Sequence, residues 1–240
     1  SDLVYDSTET AFSAWEWTNG MGAPAALVAA AVLVTLGESR EDTAPLKSDN
    51  GWKRTLKRLM RFLLLSSFAL EVVSIFVGTM TGGLLLGHGP QEAVKKMIGY
   101  QSPLALLHYH HEFEYLTTQI CFLQGLFHWL GAVAIELVLS KPKETTSAKR
   151  MNKSLACWLI SFIFWMLAFY NNHINFYSDY ATMLKRFFIL FWKRFIVTEP
   201  FRPMSLLYGP SFVISSLLTW RAFTTPPEDD DDGDDDNNET

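Results

Sequence analysis

The sequence predicts an all-α integral membrane bundle of four or five transmembrane helices, and three observations predict it. The first is the clearing of charge along the chain. No Asp, Glu, Lys or Arg occurs between Glu16 and Glu38, or between Lys153 and Asp179. The second is composition: 49% of the 240 residues fall in the AVILMFWYC set, with 18 Phe, 8 Trp and 8 Tyr, against 19% charged. The third is where the acid sits. Residues 228–240 hold nine carboxylates and no base, so the net charge of −5 belongs to the tail, and the remaining body carries 16 acids against 20 bases. Soluble folds of this size rarely leave such long uncharged stretches. The pattern excludes a disordered chain, a disulfide-stapled secreted domain and an ordinary soluble globule.

A helix crosses the roughly 30 Å hydrocarbon layer with about 20 mainly apolar residues. Four segments meet that length: 18–37, whose Ala-rich half lets another helix approach closely; 62–87, interrupted only by Glu71; 115–139, interrupted only by Glu136; and 154–170. A fifth, 204–220, contains Gly209-Pro210 and has even claims to spanning or lying at the surface. The expected organisation is a non-membrane N-terminal segment over 1–17, a transmembrane helical domain over 18–223, and a disordered acidic tail over 224–240. Ser rather than Met at position 1 is compatible with a leader removed before it. Cys121 and Cys157 fall near opposite ends of antiparallel spans, which argues against a disulfide.

Lys and Arg concentrate on the cytoplasmic side of short loops. Residues 1–17 contain none, the segment 38–61 contains seven, 88–114 two and 141–153 five. This alternation expects an outside N-terminus. The stretch KRFFILFWKRF disagrees, because four crossings would leave Lys185, Arg186, Lys193 and Arg194 outside. It is too short to span and too basic to bury, so the expectation is an amphipathic helix over 183–197 lying in the interface with its bases snorkelling. The basic run GWKRTLKRLMR in the first loop reads as a second surface-seeking segment on an anionic leaflet, and no nucleic-acid partner is expected.

Ionisable groups at membrane depth are costly, so each is a candidate functional residue. Glu71 lies nine residues past Phe62, roughly 13 Å deep, and His128 eleven residues before Leu139, roughly 16 Å deep. Their matched depth makes them a candidate proton relay, with Gln124 one turn from His128 on the same face and Cys121 a further turn on. The bland alternative is one interhelical hydrogen bond that fixes packing. A second cluster gathers at the other side: His88, then His108, His110, His111, Glu112 and Glu114 in HYHHEFEY, then Asn171, Asn172 and His173. Imidazoles with carboxylates suit a metal ion, and imidazole also ligates haem or pigment metals, so His108, His111, Glu112 and His173 are candidate ligands. The competing readings are an interfacial girdle of amphipathic side chains and a pH sensor. The spacings Gly78-x-x-x-Gly82 and Gly83-x-x-x-Gly87 let backbones touch, within the chain or in an oligomer. No phosphate-cradling loop, zinc-protease motif or nucleophile triad is present in the sequence, which favours a protein that is not an enzyme.

Two resemblances bear on this. The stretch AVAIELVL, with its carboxylate near the end of a third span, resembles Orai-type calcium channels in that feature. That family also places a glutamate ring within a first helix preceded by basic residues, whereas 18–37 holds no carboxylate and 1–17 no base. The stretch FSAWEWTNGMGAPAALVAAAVLVTL with RFLLLSSFALEVVSIF resembles uncharacterised polytopic membrane proteins of diatom-type algae over about the first third of the chain. That resemblance implies a membrane location, with a plastid membrane as one option, and carries no mechanistic motif; the sequence alone leaves plasma membrane and plastid membrane both open.

The functional expectation ranks a transport or channel-like protein with a Glu71/His128 relay first. Behind it stand a metal-, haem- or pigment-binding redox or light-harvesting component, and a scaffold or assembly subunit without chemistry. The expected partners are the lipid bilayer and either further copies of the chain or another membrane subunit.

Overall fold

The computed structural model describes residues 2–39, 49–87, 103–139, 145–174, 176–198 and 205–224, and every regular element among them is helical. The order is α1 (Asp2–Glu38), α2 (Gly51–Gly87), α3 (Pro103–His110), α4 (Glu112–Val138), α5 (Thr146–His173), α6 (Tyr180–Trp192) with a π-helical continuation Lys193–Thr198, and α7 (Ser205–Thr224). Four helices are long and apolar enough to cross a membrane: Ser13–Glu38 of α1, Gly51–Leu84 of α2, α4 and α5. These correspond to the four expected spans, and they suggest a multi-pass membrane protein. The fifth expected span is helical but is not among those four, and its described side chains from Pro210 to Arg221 are all exposed. The acidic tail from residue 225 and His88 lie outside the described residues.

The helices run further than the apolar windows. α1 begins at Asp2, because residues 2–17 contain neither Gly nor Pro to stop a helix, so the described part of the N-terminal segment is helical and continuous with the first span. Pro24 lies inside the same helix, where it removes one backbone hydrogen bond. α2 absorbs the basic run after Gly51, whose Lys, Arg and Leu residues are strong helix formers. Met60 of that run is fully buried while Trp52 and Leu59 are exposed, and Lys57 pairs with Asp49, just before the helix, at 2.6 Å.

The bundle is organised around α2, which packs along both α1 and α4. Lipid gives helices no hydrophobic reason to associate, so close packing of small and polar residues has to supply the affinity. The α1/α2/α4 interface does this with buried Ala25, Ala29, Ser67, Ser74 and Thr81. Two apolar clusters bracket it. Val32, Met60, Leu64 and Ala132 close the end where α2 begins. Ala14, Leu107, Tyr115, Leu116, Ile120, Tyr180 and Met183 join α1, α3, α4 and α6 near the other end. α5 lies against α4 and buries only Ala156, leaving Trp158, Phe162, Phe164, Trp165 and Phe169 exposed. Such a surface suits acyl chains rather than water.

Candidate functional site

Glu71 lies at the centre of the α2/α4 contact with its side chain 0% exposed, and neither carboxyl oxygen has a hydrogen-bond partner. It fits there because α4 places Gly125 opposite. A Cβ at position 125 would stand 2.5 Å from Glu71 Oε1 and 2.8 Å from Cδ, so a side chain there would force the Glu71 carboxyl to shift. Around it the two helices exchange hydrogen bonds. Ser67 Oγ donates to the Gly125 carbonyl at 2.6 Å, and Ser74 Oγ donates to the Thr118 carbonyl at 2.8 Å. These lie one turn below and one turn above Glu71 on the same face of α2. Such interhelical bonds contribute about 0.6 kcal/mol each on average, enough to fix register but not to offset an unpaired carboxylate.

The polar face continues along α2 beyond Ser74. A Cβ on Gly78 would meet Thr118 Cγ2 and the Thr18 carbonyl, each at 3.4 Å, and one on Gly82 would meet Thr18 Oγ1 at 2.8 Å and Trp15 Cδ1 at 3.2 Å. Gly78 and Gly82 therefore bring α1 and α4 close within this chain, whereas Gly83 faces open space and Gly87 is the last residue of α2. The expected small-residue contact is intramolecular at the first pair.

The expected stripe of Cys121, Gln124 and His128 does not converge on Glu71. Cys121 is buried and close enough to the carboxyl to interact with it electrostatically. His128 Nδ1 pairs with Ser66 Oγ at 2.9 Å, one turn further toward the α2 start, and makes no hydrogen bond to Glu71. Gln124 donates to the Tyr180 hydroxyl at 2.9 Å. The physical reason is helical phase: with Gly125 facing α2, the adjacent residue 124 is turned about 100° away, toward α6.

The second cluster is an ion-paired clasp. Glu112 and Glu114 occupy the first turn of α4, where the helix dipole favours negative charge. Arg186 grips Glu112 with two hydrogen bonds of 2.8 Å, and Arg194 pairs with Glu114 at 2.5 Å while its guanidinium lies 5.0 Å from the Phe113 ring centroid. The Glu112 hydrogen bond holds the Arg186 pKa above its ordinary value. Tyr177 donates to Glu112 Oε1 at 3.0 Å, which leaves His108 Nε2, 3.1 Å from the same hydroxyl, as donor to the Tyr177 oxygen. Burial, then the bond to Glu112, raises the Tyr177 pKa. The His108 ring stacks on Phe176 at 4.5 Å.

This clasp docks the amphipathic helix on the bundle, so its bases do not simply snorkel. Asp179 caps α6 by accepting from Thr182 N at 2.6 Å, which lowers the Asp179 pKa. Tyr180 N donates to Asn171 Oδ1 at 2.7 Å, and burial pushes the Tyr180 hydroxyl up to about 12. Tyr170 donates to Gln119 Oε1 at 2.5 Å.

The four candidate ligands are not brought together. His108 and Glu112 are neighbours at 3.9 Å, but His173 is turned onto its own helix, with Nδ1 2.8 Å from the Phe169 carbonyl and its ring stacked on Phe169 at 4.1 Å. Among the described residues no three His, Cys, Asp or Glu side chains are placed to hold a metal ion. Sequence reasoning passed over Gly125, Ser67, Ser74, Thr118, Tyr177 and Tyr180. The signal for Ser67 and Ser74 was present, since Gly78 and Gly82 extend backward at steps of four and three through Ser74, Glu71 and Ser67. No family model, no curated protein and no solved structure matches the chain.

Proposed function

We propose that this is a transport or channel-like membrane protein in which Glu71 binds the cation that moves or that couples the movement. One observation carries the reading: a carboxyl fully buried inside a candidate span, unpartnered, in space kept open by a glycine. Structural carboxyls in spans pair with a base or a donor, because an unpaired polar group there costs several kcal/mol, roughly 2–7. A buried carboxyl without a partner makes sense as one whose partner arrives and leaves. His128 stands outside this site as a packing residue bonded to Ser66. The Glu112–Arg186 clasp serves as a strut that fixes α6 against the start of α4.

The test is cation flux in liposomes reconstituted with the full chain. The reading expects flux in the wild type and its loss in Glu71→Gln, which keeps shape and removes the ionisable group. Equal flux in both would overturn it.

A further inference from the structure

Polarity around Glu71 is one-sided. Toward the end where α1 begins, α2 ends and α4 begins, the interface is lined by hydroxyls and glycines. Ser74, Thr118, Gly78, Thr18, Thr81 and Gly82 are buried there. Every one of those hydroxyls spends its proton on a backbone carbonyl: Ser74 on Thr118, Thr118 on Glu114, Thr18 on Trp15 and Thr81 on Val77, at 2.8 to 3.0 Å. Each therefore keeps oxygen lone pairs available. The Thr18 and Thr118 oxygens stand 2.8 and 3.8 Å from where a Cβ on Gly82 and Gly78 would be, so they face the glycine backbone. Of the apolar cluster near this end, Leu116 and Ile120 lie about 200° around α4 from Thr118, while Ala14 and Tyr115 lie one turn from Thr18 and Thr118 and narrow the seam at its end.

Toward the other end the lining changes within two turns. After Ser67 come Leu64 and Met60 of α2, Val32 of α1 and Ala132 of α4, all 0% exposed. The buried residues of α1, namely Ala14, Thr18, Ala25, Ala29 and Val32, include no titratable group. On α4 the titratable neighbours are Cys121, within electrostatic reach, and His128, held by Ser66. Nothing on either helix supplies a counter-charge, and the carboxyl sits tightly over Gly125. A proton needs neither a cavity nor further ligands, whereas a sodium-sized ion needs about six oxygens around it.

Building on the assignment of Glu71 above, we infer that the cation is a proton, that Glu71 exchanges it with the Glu112 end of the bundle along the hydroxyl and glycine seam, and that Val32, Met60, Leu64 and Ala132 form a seal against the other end. The seam on its own would be ordinary close packing. The unpartnered, fully buried carboxyl that it leads to gives it a ligand.

Infrared difference spectroscopy on the full chain, reconstituted with known sidedness, reads this without depending on transport. The carbonyl stretch of a protonated carboxyl that disappears in Glu71→Gln is followed while pH is changed on one side at a time. The expected result is a band that follows the pH at the Glu112 end at once, follows the pH at the other end only as slowly as the protein turns over, and is not bleached by excess sodium. A wild-type sample without the band, a band that follows the opposite side first, or loss of the band to sodium would overturn the inference. Leu64→Ser, which puts a hydroxyl in the seal, should make the band respond from both sides; an unchanged one-sided response in that folded variant contradicts the seal. A band with the expected behaviour in a protein that moves no ions would leave the proton site standing and remove the transport reading. Flux lost in Glu71→Gln without any such band would do the reverse.

Discussion

The carboxyl of Glu71 occupies the space that a side chain on Gly125 would take, 2.5 Å from Oε1 to an idealised Cβ. The two residues are a matched pair across the α2/α4 contact. Gly125→Ala should therefore destabilise the protein by about 1–3 kcal/mol through overpacking. Glu71→Ala should relieve that clash, so the double variant should be more stable than the sum of the single effects. Unfolding of the four proteins in mild detergent checks this, and strict additivity would mean that the carboxyl does not rest on Gly125.

His128 was legible from its depth as a relay partner, but the structure gives it a packing role through Ser66. His128→Ala should cost roughly 0.6 kcal/mol, the usual worth of an interhelical hydrogen bond, and leave cation flux at the wild-type level. Flux that falls as far as in Glu71→Gln would restore the relay.

The Glu112–Arg186 pair is bidentate but Arg186 is 47% exposed, so solvent screening limits it. Arg186→Ala should cost no more than about 1 kcal/mol of global stability. Its larger effect should be local: faster proteolysis between residues 176 and 198, because the strut that holds α6 against α4 is gone. Unchanged cleavage in that segment would show that aromatic contacts such as Phe113–Phe187, stacked at 5.9 Å, hold the helix without it.

The cap on α6 has a definite pH dependence. Hydrogen bonds from Thr182 lower the Asp179 pKa in the folded state, so its stabilisation is complete above the unfolded carboxyl value of about 3.9 and is lost as pH falls through the lower folded value. Asp179→Ala should lower the thermal midpoint at neutral pH, and the difference from wild type should vanish once pH has fallen through the lowered folded value. A difference that persists in acid would assign the effect to something other than the ionised cap.

The sequence made the spans legible because apolar length and charge clearing are properties of a single helix. The helix ends were harder, since α1 and α2 continue through polar residues with good helical propensity on either side of the apolar windows. Glu71 stood out for the same single-helix reason: a lone carboxylate in a long apolar run. Its true neighbour did not, because finding Gly125 requires the rotational phase of α4 against α2, which depth alone leaves undefined. The same limit misplaced Gln124, which turns to Tyr180. The outer histidines converged in sequence but not in space, because a charged clasp with Arg186 and Arg194 took up the two glutamates, while His173 folded back on its own helix.

The cation-handling role proposed for Glu71 is read out by proton flux in liposomes reconstituted with wild type, Glu71→Gln and Glu71→Asp. Flux is expected in the wild type, none above protein-free liposomes in Glu71→Gln, and partial flux in Glu71→Asp, which keeps the ionisable group on a shorter arm. Glu71→Gln that conducts like the wild type would contradict it.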